Sequence, residues 1–331
     1  MTAPAQRVVV TRRIFPELVA DLKREFDVVD NEADVGWTAL QLVAALKDAD
    51  AALITAGERI DDALLAQCVN LKIVANVAVG YNNIDVAACT RHGVMATNTP
   101  DVLNEATADH AWALLLAAAR RVGESERWLR AGQWQRWAFD MFAGAEISGS
   151  TLGILGMGRI GRAIARRASG FAMKVIYHNR TQLLASDEAG ARYVAFDALL
   201  READHLVLVV PYSTAVHHII AAAQLAQMRP SATLVNIARG GVVDDAALAA
   251  ALRSGQLAAA GLDVYENEPK VHPSLLELEN VVLTPHIASS TRATRTAMAS
   301  LAIANVRAAL AGQRPPSLLN PEALSAERQR R

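Results

Sequence analysis

The stretch TLGILGMGRIG, residues 151–161, constrains the fold more than any other part of this chain. An apolar strand-like run ends at Leu155. The spacing G-x-G-x-x-G follows at Gly156, Gly158 and Gly161, and a helical pattern begins at once. Each glycine answers a separate physical demand. The first permits a tight turn, the second lets another molecule approach the backbone, and the third lets helix and strand pack closely. The free N–H groups at the helix start then suit a phosphate. Gly156, Gly158, Arg159, Ile160 and Gly161 are therefore candidates for holding a dinucleotide.

Short β-rich runs alternate with helical patterns from the start of the chain. RVVVT (7–11), FDVVD (26–30), AALIT (51–55), LKIVANVAVG (71–80) and VMATNT (94–99) read as strands. Helical patterns at 14–26, 38–49 and 60–69 separate the first four. A second series holds strands at 151–156, 174–178, 205–211, 232–238, 259–264 and 281–285. The helix over 244–255 starts at an Asp and stops at a Gly, and an amphipathic helix covers 291–312. Such alternation predicts two Rossmann/flavodoxin-like α/β domains, each a parallel sheet with flanking helices, and a cleft between them. At 331 residues, two domains suit the length. A charged, proline-containing tail after Gly312 reads as loose.

Between the two series lies EATADHAWALLLAAARR, a helix apolar on nearly every side, which needs covering on every side. It is expected to lie between domains or subunits. The following segment carries Trp128, Trp134 and Trp137 without periodicity, and reads as an irregular arm made of interface material.

Composition excludes several classes. The net charge of −1 gives no case for nucleic acid or an anionic membrane surface. The apolar run at 111–119 is too short to span a bilayer, and MTAPAQRVVVTRR lacks the apolar core of a leader. Cys68 and Cys89 match no metal or redox spacing, so a cytoplasmic protein without a metal site is expected.

The strand after the glycine turn ends KVIYHNRT (174–181), where dinucleotide folds that use NAD carry an acid. Asn179 removes the repulsion an acid would exert on a 2′-phosphate. Arg180 supplies a guanidinium suited to phosphate oxygens, and Thr181 adds a hydroxyl. The turn looks tuned to NADP(H), with NAD(H) as the alternative.

Reduction of a ketone needs a proton donor and a cation on the carbonyl besides a hydride source. Arg239 and His286 follow strands of the second series, and Glu268 lies in the loop between them, DVYENEP. A histidine gives and takes protons near neutral pH, and a carboxylate on its second nitrogen fixes the tautomer. An arginine stays charged and grips a carboxylate or carbonyl in a fork.

GMGRIG, VNIARGGVVDDAALAAAL, GLDVYENEP and TPHIASST, in this order and spacing, resemble the D-isomer-specific 2-hydroxyacid dehydrogenase family over nearly the whole chain. HNRT and the tryptophan-bearing arm are most similar to its NADP-using glyoxylate/hydroxypyruvate reductase branch. The resemblance implies reduction of small 2-oxo acids to D-2-hydroxy acids, with His286 as general acid/base, Glu268 as its partner and Arg239 on the substrate. It implies that the backbone of Val79 and Gly80 takes the substrate carboxylate, and that Asp263 meets the nicotinamide carboxamide. Val210, Pro211, Ile237, Ser289 and Thr107 would line the cofactor. Residues 1–99 and 290–331 would form the substrate domain and 100–289 the dinucleotide domain, with 123–150 a dimerisation arm. The apolar helix would pack across a homodimer interface, and Trp137 would enter the neighbouring active site. AFDMF (138–142) departs from the residues expected there, which bears on substrate preference.

Other readings stand beside it. A phosphoglycerate, D-lactate or phosphonate dehydrogenase would share the family motifs, although the phosphoglycerate reading lacks an acid at 179 and a regulatory C-terminal domain. A formate dehydrogenase would carry glutamine where Glu268 stands. A non-catalytic dinucleotide-sensing protein of the same fold would not need Arg239, Glu268 and His286 together.

Overall fold

The computed structural model describes residues 5–324. The chain divides into two compact units, one running to Leu103 and resuming at Thr291, the other covering Asn104–Ser290.

In the first unit, five short strands form one parallel sheet: β1 (Arg7–Val10), β2 (Asp27–Asp30), β3 (Ala51–Ile54), β4 (Ile73–Asn76) and β5 (Met95–Thr97). The order β2-β1-β3-β4-β5 is that of flavodoxin-like sheets. Central strands β3 and β4 are buried at every position, as a parallel sheet covered on both faces requires. Leu46, Ile54, Ile60, Leu65 and Val74 fill one side of this core with Cys68 and Cys89. Burial pushes the two thiols up, to about 11 for Cys68 and about 12 for Cys89, which makes them inert packing groups. The helix Arg292–Leu310 belongs to this unit, where Arg307 bonds Asp21 and Glu25.

The tail expected to be loose is instead pinned as far as it is described. Asn320 is 2% exposed; its side chain accepts from the Ala96 N–H and donates to the Val94 carbonyl, tying the chain to β5. The remainder of the tail, 325–331, lies outside the described residues.

The second unit is a seven-stranded parallel sheet: β6 (Thr151–Leu155), β7 (Lys174–His178), β8 (Arg192–Tyr193), β9 (His205–Leu208), β10 (Thr233–Asn236), β11 (Ala259–Leu262) and β12 (Val281–Leu283). Its order, β12-β11-β10-β9-β6-β7-β8, reverses direction between β6 and β9. Ligands of open α/β sheets bind at such a switch point, beyond the strand C-termini. Gly156 follows β6 there, and Val210 and Pro211 follow β9.

In this unit the apolar helix finds much of its cover, and the reading of the arm changes. The apolar helix, Asn104–Ala119, is covered largely by its own unit, packing on the helix Arg159–Ala168 and on β10–β12. Trp112 stacks on Phe171 at 4.8 Å and donates its indole N–H to the Ile164 carbonyl. Glu105 and Asp109 give it a polar edge that pairs with Arg166 and Arg167. The arm, read as irregular, opens with a helix over Val122–Arg130. Local ion pairs within four residues, Arg121 with Glu124 and Arg130 with Glu126, supply the support that apolar periodicity does not. Trp128 then turns inward onto Phe142, while Trp134 and Trp137 remain 55% and 72% exposed. No helix among the described residues is long and apolar enough to cross a membrane.

Candidate active site

The glycine turn meets each demand stated above. Gly156 sits at φ +104°, where L side chains are strained, and a Cβ on it would lie 2.9 Å from the Val209 backbone. A Cβ on Gly161 would lie 2.3 Å from the Gly156 carbonyl, so helix and turn pack too closely for any side chain. Gly158 differs: no protein atom lies within 4 Å of where its Cβ would be. Packing does not account for this glycine, whereas a phosphate approaching the backbone does. Gly158 is also the N-cap of the helix Arg159–Ala168, with no side-chain cap bond, leaving the helix start suited to an anion. The residues present thus fit a dinucleotide pyrophosphate.

Asn179 follows β7 and accepts a 2.7 Å hydrogen bond from the Met157 N–H, which fastens the specificity corner to the glycine turn. Arg180 and Thr181 are exposed beside it, and Arg180 has no carboxylate partner among the described residues. Of the other expected cofactor residues, Ile237 and Thr107 are buried, Val210 and Ser289 are partly exposed, and Pro211 is exposed.

At the other side of the sheet, three loops bring titratable groups together. His286 follows β12 and Glu268 follows β11; the imidazole Nδ1 lies 2.7 Å from Glu268 Oε2. The second carboxylate oxygen accepts from the Tyr265 N–H at 3.0 Å, which fixes the carboxylate plane. Burial raises the Glu268 carboxyl, but the His286 contact, the Tyr265 N–H and the nearby Arg239 charge outweigh it and hold the group below its ordinary value. Both side chains still reach solvent, at 37% and 32% exposure, so a proton can enter and leave.

Arg239 lies three residues beyond β10, on a turn held by the buried Asn236, whose Oδ1 accepts from the Ala238 N–H. Burial lowers the guanidinium from its ordinary value while the Glu268 charge opposes that effect. It remains a cation at any neutral pH. Gly240 next to it admits no side chain, because a Cβ would overlap the Tyr265 carbonyl. This close crossing locks the Arg239 turn against the loop that carries Glu268.

Asp263 was expected at the cofactor, and the structure places it at the end of β11, 1% exposed, bonded to the His286 loop. Its oxygens accept from the Thr284 hydroxyl at 2.6 Å and from the Ile287 and Ala288 N–H groups at 2.8 Å each. His110, from the apolar helix, stands 3.4 Å away and also meets Thr284. Burial raises the Asp263 carboxyl, and these donors more than offset it, so the group lies below its ordinary value. His110, Thr284, Tyr265 and Asn236 were not legible as site residues. The one signal was a histidine within an otherwise apolar helix.

In the first unit, the carbonyls of Val79 and Gly80 are taken by Asn98 and Asn76. Their N–H groups have no partner among the described hydrogen bonds. Trp137 lies on the exposed arm of the second unit.

The model of the NAD-binding domain of D-isomer-specific 2-hydroxyacid dehydrogenases matches residues 112–288. A glyoxylate reductase from Thermococcus onnurineus is 46% identical over 324 residues, covering 96% of this chain and 97% of that protein. The crystal structure of an NADPH-dependent glyoxylate/hydroxypyruvate reductase from Sinorhizobium meliloti, in complex with NADP and malonate, superposes with a TM-score of 0.86. It is 35% identical and covers 96% of this chain and 98% of its own. A glyoxylate reductase structure from Paecilomyes thermophila gives the same TM-score and identity over 97% and 99% of the two chains. With the dinucleotide turn, the His–Glu pair and the half-buried arginine already in place, this chain belongs to the D-isomer-specific 2-hydroxyacid dehydrogenase family and is an NAD(P)-dependent oxidoreductase.

Proposed function

We propose that this protein reduces glyoxylate and hydroxypyruvate to the corresponding D-2-hydroxy acids with a preference for NADPH. The corner after β7 carries the cofactor preference: Asn179, Arg180 and Thr181 stand where a carboxylate would repel a 2′-phosphate, and the guanidinium of Arg180 is free to meet one. The similarity to a reductase with NADP bound supports the same reading.

The nicotinamide, when bound, supplies the hydride. His286 donates the proton to the carbonyl oxygen from Nε2, because Nδ1 is engaged by Glu268. Glu268 stabilises the imidazolium before transfer and orients the ring. Arg239 polarises the substrate carbonyl from its half-buried position, where its charge is screened less than in open water. The N–H groups of Val79 and Gly80 take the substrate carboxylate. In this assignment residues 1–99 and 290–331 act as the substrate domain and 100–289 as the dinucleotide domain. Asp263 positions the His286 loop and would meet the nicotinamide carboxamide when the cofactor binds. The exposed Trp134, Trp137 and Phe139 form the contact of a homodimer, with Trp137 reaching the substrate of the neighbouring subunit.

The test is the initial rate of NADPH and of NADH oxidation with glyoxylate, hydroxypyruvate and pyruvate. A much higher kcat/KM for NADPH with the first two substrates is the expected result. A preference for NADH would overturn the role of Arg180, and preference for pyruvate would overturn the substrate assignment.

A further inference from the structure

A second cluster of titratable side chains lies in the same unit, outside the hydride-transfer machinery. His217 and His218 sit on the loop after β9, and Glu266 on the loop after β11. One ligand atom from each of the three falls within 4.8 Å of the other two. His218 Nε2 already lies 2.8 Å from Glu266 Oε1, and the two imidazole rings stack with centroids 3.9 Å apart and planes 20° from parallel.

The backbone fixes this arrangement. His218 adopts φ +52°, a left-handed conformation uncommon for a side chain of this size, and its N–H bonds the Gly241 carbonyl at 2.7 Å. Ile220 then pairs with Val242 and Val243, holding the loop in register. On the opposite loop, the Glu266 N–H donates to Asp245. Tyr212 places its hydroxyl 3.1 Å from His217 Nδ1, the kind of outer partner that orients a ligating imidazole.

We propose that His217, His218 and Glu266 form a binding site for one divalent transition-metal ion of the zinc class. Two imidazoles and one carboxylate are a donor set that selects Zn2+, Ni2+ or Cu2+ over Ca2+ and Mg2+, which take oxygen ligands. A tetrahedral ion with bonds of about 2.0–2.2 Å holds its ligand atoms about 3.3–3.6 Å apart. The His218–Glu266 pair is already inside that separation, and the exposed His217 ring, stacked on His218, would turn out of that stack to bring its Nε2 to the ion. Water completes the fourth position. The ion would brace the histidine loop against the loop of Glu266, which lies two residues from Glu268. The inference is independent of which 2-oxo acid the enzyme reduces, and it runs against the sequence analysis, which expected no metal site.

The experiment is titration of the untagged full-length protein with Co2+, read by its visible absorption, followed by displacement with Zn2+. One Co2+ per chain, with a Kd below about 100 µM, is expected. His217→Ala, His218→Asn and Glu266→Gln should each weaken binding at least about tenfold. Asn tolerates the left-handed backbone at 218, and the metal-free Tm of each variant checks its fold; if His218→Asn fails to fold, His217→Ala and Glu266→Gln carry the test. His286→Ala should bind Co2+ as the unaltered protein does. Absence of binding up to about 1 mM Co2+ would overturn the proposal. So would binding that survives both His217→Ala and Glu266→Gln, or that disappears in His286→Ala.

Discussion

Asp263, at the end of β11, is enclosed by the protein and accepts hydrogen bonds from Thr284, Ile287 and Ala288. Arg180, at the end of β7, is exposed and meets no carboxylate among the described residues. Both residues follow strands of one sheet, yet one is fixed by several donors and the other only by its backbone. The difference matches the work proposed for each corner. A proton must move at a defined atom, so the His286 loop is over-determined by buried polar contacts. A phosphate must be met by charge, and an arginine at the surface achieves this without a fixed geometry before the ligand arrives. Substitutions on the first corner should therefore change rate and stability, and those on the second should change cofactor preference alone.

The largest expected effect is His286→Ala. Loss of the proton donor should lower kcat by about 10²–10⁴-fold, with NADPH affinity within a few-fold by fluorescence titration. Normal turnover would remove His286 from the proposed role. Glu268→Gln should lower kcat by about 10–100-fold and displace the pH–rate profile, because the charge supporting the imidazolium is lost. An unchanged profile would reduce Glu268 to a steric support.

Asp263→Ala leaves the buried Ala288 N–H and the part-buried Ile287 N–H without their acceptor. A loss of about 2–4 kcal/mol in unfolding free energy is expected, along with slower turnover. Chemical denaturation measures the first and steady-state kinetics the second. If both were unaffected, the contrast between the two corners would fail. Arg180→Ala should raise the KM for NADPH about tenfold and leave that for NADH unchanged, with no change in Tm. Equal effects on both cofactors would show that Arg180 does not read the 2′-phosphate.

The smallest effect concerns acid. Asp263 and Glu268 both lie below their ordinary values in the folded chain, chiefly because hydrogen bonds and charge outweigh burial. A depressed carboxyl contributes stability above its unfolded value and loses it as pH falls through the folded one. The thermal midpoint should thus begin to fall below about pH 4, and less steeply in Glu268→Gln than in the unaltered protein. Identical slopes would mean that other carboxylates set acid stability.

How much of this was open to reading depended on range. The strand–glycine–helix turn is contiguous, and its chemistry follows from eleven adjacent residues, so GMGRIG was legible. Most strands were found within a few residues, because central strands of a parallel sheet are apolar throughout. The arm's helix was missed because its support is ionic rather than apolar, and the pinned tail because its anchor, Asn320, bonds residues over 200 positions earlier. His110, Thr284 and Asn236 were missed for a similar reason: a polar side chain with no motif gains meaning only from what the fold puts beside it.

The amino-acid order by itself determined the alternation of strands and helices, the dinucleotide turn and the residue types available for proton transfer. These rest on local stereochemistry and on periodicity, which act within a few residues. Only the tertiary structure decided that Glu268 reaches His286 and that Asp263 is spent on the loop beside it. It alone brought His217 and His218 to Glu266. Those contacts join residues tens of positions apart, and the crossover connections of the sheet, not the sequence spacing, set their distances.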